Sequence, residues 1–129
     1  MRDEAKQWLM FAEENLKSAK ILHTNQLFNP CLQNIQQAVE KALKSILIEK
    51  SLKLRRTHSI SELRNILLAN TIDLDLNEEE CEYLDSIYLP SKYPLGAALP
   101  GFVPDENICQ TGITIAETIL LNVKSLLAK

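Results

Sequence analysis

The side chains best suited to chemistry begin with His58. It lies close to Lys53, Arg55 and Arg56, and an imidazole among cationic groups can donate to a phosphate or move a proton near neutral pH. The plainer reading is local: a histidine just ahead of Ser59 can bond to backbone and set how the chain enters the following helix. Gln36, Glu40 and Lys44 form a second group, spaced i,i+4 so that an amide, a carboxylate and an ammonium share one helical face. Together they can hydrogen-bond a nucleotide's base, ribose and phosphate. The same spacing also suits an exposed ion pair contributing roughly a few tenths of a kcal/mol. Glu40 alone can act as a general base, but no second carboxylate stands at a spacing that would help it.

A third group lies between Tyr88 and Pro104. Tyr88, Leu89, Tyr93, Leu95, Leu99, Phe102 and Val103 share that segment with a single charge, Lys92. So apolar a stretch must be covered by its own bundle, by a second copy of the chain or by a ligand. In the ligand version Tyr93 stacks on a base and Lys92 meets a phosphate.

Other chemistries are excluded. The three cysteines, Cys31, Cys81 and Cys109, are odd in number and far apart, without CxxC spacing, so neither a disulfide framework nor a zinc site is indicated. No metal and no cofactor is expected. GxGxxG, GxxxxGK[ST] and GxSxG are absent, which removes the dinucleotide, P-loop and hydrolase-elbow readings. A net charge of −3 and pI near 5.4 argue against a partner held by bulk positive charge. Lys50, Lys53, Arg55 and Arg56 leave only a weak local case for RNA. With no signal-peptide core and no apolar run of membrane-spanning length, the expectation is a soluble cytoplasmic protein with no membrane partner.

These groups need helices to hold them. Leucine and isoleucine far outnumber valine, and 129 residues suit one domain, 1–129, around a single core. Ala5, Trp8, Leu9, Ala12, Leu16, Ala19 and Leu22 mark a first helix from Asp3 to about His23. Asn29 followed by Pro30 reads as a cap and first residue of a second helix, running to about Lys50. Its apolar stripe is Leu32, Ile35, Val39, Ala42, Leu43, Ile46 and Leu47. Ser59 with Glu62 is a capping-box pair opening a third helix, Ile60 to Ala69, which buries Leu63, Ile66 and Leu67. Asn77 caps a fourth that should end near Ile87, since the prolines and glycines from Tyr88 to Pro104 oppose regular structure. Asp105 caps a last helix striped by Ile108, Gly112, Ile115, Ile119, Val123 and Leu126. The architecture this predicts is all-α, an antiparallel up-and-down bundle of four to five helices. Charge is uneven along it: bases dominate from Lys41 to Arg64, whereas Asp73 to Asp85 carries acids and no base.

In that order, Trp8-x3-Ala12-x2-Asn15-Leu16-x2-Ala19, the run Gln36 to Lys44, Thr57-His58-Ser59-Ile60 with Leu63, and Tyr88 with Ser91-Lys92-Tyr93-Pro94 resemble the HEPN domain family over nearly the whole chain. The resemblance implies a bundle that usually dimerises and is often encoded beside a small nucleotidyltransferase. Some members are metal-independent ribonucleases carrying Arg-x4-6-His. Here the positions five to seven residues before His58 are Lys53, Leu52 and Ser51, and before His23 they are Ser18, Lys17 and Leu16, so no arginine stands in register. Lys53 is the nearest substitute, and an ammonium lacks the planar fork that grips two oxygens.

The leading expectation is a non-catalytic HEPN domain, acting as a homodimer, that binds a nucleotide through Gln36, Glu40, Lys44, Arg56, His58, Lys92 and Tyr93, or partners a nucleotidyltransferase. The alternatives are a degenerate ribonuclease of the toxin–antitoxin kind, with His58 and Lys53 acting across a dimer, and a structural dimerisation module.

Overall fold

Five α-helices make up the computed structural model: α1 (Asp3–Thr24), α2 (Phe28–Glu49), α3 (Ile60–Ala69), α4 (Glu78–Lys92) and α5 (Glu106–Leu127). It describes residues 1–54, 56–92 and 103–128, with 88–92 described by their backbone. No strand occurs among the described residues. The fold is an antiparallel up-and-down helical bundle.

α2 is the hub and packs against each of the other four helices. Its stripe Leu32, Ile35, Val39, Ala42, Leu43, Ile46 and Leu47 is fully buried, and one apolar cluster draws on all five helices. Burial of each such aliphatic side chain is worth about 1.5–3 kcal/mol, and this burial drives assembly of helices whose intrinsic stability in water is slight. Across the α1–α2 hairpin a polar bridge fixes the register: Asn15 Nδ2 donates to Asn34 Oδ1 (2.9 Å) and Lys41 Nζ to Asn15 Oδ1 (2.8 Å). α5 approaches α2 at Gly112, where a Cβ would come within 2.9 Å of Ile35 Cδ1.

Three caps form as the sequence predicts. Ser59 Oγ accepts from Glu62 N, Asp105 Oδ1 from Ile108 N, and Asn77 and Glu80 form a reciprocal capping box. The Ser59 box is one-sided, because the Ser59 N–H donates to Thr57 Oγ1 instead.

Two boundaries differ from expectation. α2 begins at Phe28 rather than Pro30, with Leu27 at the N-cap and no side-chain cap, so Asn29 lies inside the helix. Pro30 is then the third helical residue, and none of the first four N–H groups has an intrahelical acceptor, so its missing donor costs nothing there either. α4 runs past Ile87 to Lys92, taking Tyr88 to Lys92 into a helix. Pro90 falls in the last turn, where it removes a single rung, back to Ser86, and does not break the helix. The rest of the proline-rich segment, residues 93–102, lies outside the described residues.

Candidate functional site

The i,i+4 series on α2 is buried. Gln36, Glu40 and Lys44 are 0%, 4% and 6% exposed, so the expected solvated polar face is a polar ladder inside the bundle. With helices packed on several sides, α2 has little surface left for solvent. The carboxylate of Glu40 is the centre of the ladder. Its Oε2 accepts from Lys44 Nζ at 2.9 Å, and its Oε1 lies 2.9 Å from His58 Nδ1 and 3.3 Å from Gln36 Nε2. Lys44 Nζ also lies 5.9 Å from the Trp8 ring centroid, which adds cation–π attraction from α1.

Gln36 uses both ends of its amide: Nε2 donates to the His58 carbonyl at 2.7 Å, and Oε1 accepts from Gln37 Nε2 at 3.0 Å. His58 is thus held twice from α2, by ring and by backbone, and more than half of its side chain still faces solvent (57%). The two groups that sequence treats separately therefore form one assembly. A carboxylate bonded to Nδ1 fixes which way an imidazole faces, as in sites where histidine moves protons or binds anions.

The stretch after His58 has a partner sequence reasoning missed. Asp85 of α4 accepts from Ile60 N (2.7 Å), the Ser59 hydroxyl (3.1 Å) and Ser61 N (3.2 Å). Nothing in local spacing announces a contact across some 25 positions; the only hint is that Asp85 stands inside a helix next to buried Leu84.

Of the remaining candidates, Lys53 and Arg56 are exposed on the 50–59 connector. Lys92 ends α4, with its side chain outside the description, and Arg55 and Tyr93 lie outside the described residues. His23 is remote in role, its ring packed on Phe28 with centroids 6.2 Å apart.

The cysteines offer no nucleophile near neutral pH. All three are buried, and desolvation pushes the Cys81 thiol up to about 11 and the Cys109 thiol to about 12, with Cys31 also raised. Among the described residues no group of three or more His, Cys, Asp or Glu could hold a metal ion, and no helix is long and apolar enough to cross a membrane.

Comparison with known proteins points one way. The family model of the HEPN domain matches residues 5–126. The crystal structure of TT1696 from Thermus thermophilus is similar over 96% of this chain and 98% of its own, with a TM-score of 0.79 and 27% identity. That of ST0689, described as an archaeal HEPN homologue, is similar over 98% of each chain, with a TM-score of 0.72 and 27% identity. No curated protein sequence matches the chain.

Proposed function

The chain belongs to the HEPN domain family, and from that premise we propose that it is a non-catalytic member, acting as a homodimer, that binds a nucleotide at the face holding His58 and Arg56 or partners a small nucleotidyltransferase. The observation that carries this reading is the engagement of Glu40 inside the bundle, where it orients His58. Both its oxygens are bonded, to Lys44, His58 and Gln36, and it is 4% exposed, which keeps it from reaching a substrate as a base. No arginine occupies the offset ahead of either histidine at which ribonuclease members carry one. The surface beside it is rich in donors: an imidazole at His58 oriented by Glu40, with the cations Arg56 and Lys53 on the same connector. Such a set suits a phosphate group. Gln36, Glu40 and Lys44 contribute by holding His58, and Arg56 and His58 by meeting a phosphate; by residue type Lys92 suits a phosphate and Tyr93 the base.

Calorimetric titration with ATP, GTP and their monophosphates tests this. Saturable heat that is lost in His58→Ala, with folding retained, is expected; no heat at millimolar nucleotide in the native protein would leave the structural module as the better account.

One observation favours the ribonuclease instead. A carboxylate that orients an imidazole is also the arrangement a general base uses, and Lys53 would then stand in for arginine as a point charge. Cleavage of a transcript by pure protein, abolished by His58→Ala and by Lys53→Ala, would establish it.

A further inference from the structure

Residues 57–62 are gripped by two helices that do not follow one another in the chain. From α2, Gln36 holds the His58 carbonyl and Glu40 holds its ring, at 2.7 and 2.9 Å. From α4, the Asp85 carboxylate bonds three consecutive residues, Ser59, Ile60 and Ser61, at 3.1, 2.7 and 3.2 Å. A cap for α3 needs only Ser59, whose hydroxyl already accepts from Glu62 N. Three bonds from one carboxylate do more, because they make the first turn of α3 move with α4 as a unit. His58 is the residue immediately before that turn. Thr57 Oγ1, accepting from Ser59 N at 3.1 Å, adds a turn bond across the histidine.

We propose that Asp85 is a positioning residue for His58, so that α4 as well as α2 sets where the imidazole stands. α4 also carries Lys92, seven residues and about 10 Å of helix beyond Asp85. The helix that grips the turn after His58 is thus also the helix that carries Lys92. For the ligand this inference rests on the function proposed above. The mechanical coupling of α4 to His58 does not.

Magnetic resonance on the full chain tests the coupling without any ligand. Asp85→Asn keeps shape and one acceptor but loses the charge and the second acceptor; Asp85→Glu keeps the charge but displaces it by one methylene, and serves if the amide variant does not fold. Either is expected to speed exchange at the Ser59 to Glu62 amides at least tenfold. Either should also shift the His58 ring nitrogens and the Gln36 side-chain amide, with the α1–α2 hairpin unchanged. If exchange rises only at residues 60–62 while the His58 ring and Gln36 signals stay as in the native protein, Asp85 is a cap and the proposal falls. Titration with ATP is the second arm. At least fivefold weaker binding by the variant is expected, and equal affinity overturns the coupling of α4 to the site. No binding by the native protein overturns the function reading instead, and the ring signals then decide the coupling by themselves.

Discussion

α2 has two buried faces, and they hold the molecule together in opposite ways. On one, Leu32, Ile35, Val39, Leu43 and Ile46 are removed from water and contribute stability in proportion to area. On the other, Gln36, Glu40 and Lys44 are removed just as fully, and their desolvation costs about what their mutual attraction returns. The first face is what makes the chain fold. The second adds little net stability, yet it fixes one place for His58 by bonds that an apolar surface cannot supply. Apolar burial is non-directional; a carboxylate shared by three donors fixes direction as well as distance.

The largest effect separating the faces should come from cutting one rung of the ladder. Glu40→Ala leaves the Lys44 ammonium 6% exposed and without its carboxylate, and should cost about 3–5 kcal/mol in urea or guanidinium unfolding. Replacing both partners, Glu40→Leu with Lys44→Met, should return stability to within about 1 kcal/mol of the native protein, because neither charge is then buried. The His58 ring should nevertheless be released, visible in its nitrogen resonances. A double variant as unstable as the single one would make the ladder a source of stability, and the contrast between the faces would disappear.

The apolar core into which that first face packs holds polar atoms from α4 and α5, and alkali should expose them. Burial raises Cys81 from 9.0 to about 11, Cys109 to about 12 and Tyr83 from 10.0 to about 12. The unfolded chain then loses protons first as pH climbs, so the stability these groups contribute is complete below about pH 9 and drains away toward pH 11–12. Cys81 alone should account for about 2 kcal/mol by pH 11, with Cys81→Ala flattening that part of the curve. A flat profile from pH 8 to 11 would mean that the thiols reach water in the native state.

How much of this was legible depends on how far apart the partners are. The apolar stripe of α2 could be read from spacing alone, and so could the caps at Ser59, Asn77 and Asp105, since each is a local relation. Gln36, Glu40 and Lys44 were found as a group, but their burial was not. What covers them, Trp8 from α1 and His58 from the connector, is set by packing rather than by neighbours in sequence. Asp85 was missed for the same reason. Pro90 misled in the other direction: proline stops a helix in its interior, whereas here it sits in the last turn of α4.

Steric crowding gives the next test, on the apolar face. A side chain at Gly112 must displace Ile35, whose Cδ1 and Cγ2 would lie 2.9 and 3.1 Å from the new Cβ. Gly112→Val should therefore destabilise by about 2 kcal/mol, even though glycine is itself a poor helix former, because a branched side chain overpacks the α2–α5 contact. Ile35→Val in the same chain should recover part of the loss if that contact is the cause, as thermal unfolding would show. The His58 ring signals should not move, because the damage is confined to the other face.

The smallest effect lies away from both faces. α1, α2 and α3 all end in the same Schellman arrangement, with Leu27 N, Leu52 N and Ile72 N bonding back to Leu22 O, Leu47 O and Leu67 O at 2.9, 2.8 and 2.9 Å. The left-handed residue at each is not glycine but Gln26, Ser51 and Thr71, with φ of 61°, 56° and 61°. Thr71 is the most strained of these, because a β-branched side chain crowds the backbone there. Thr71→Gly should raise stability by about 0.5–1 kcal/mol, the relief exceeding the extra freedom glycine gives the unfolded chain, with Ser51→Gly and Gln26→Gly gaining less. Introduced into the Glu40→Ala protein, Thr71→Gly should add the same increment to thermal stability and leave the displaced His58 ring where it is. Stability and placement would then have been changed independently. If the ring returned as the fold tightened, its position would follow from overall stability, and the buried ladder would have no separate part in setting it.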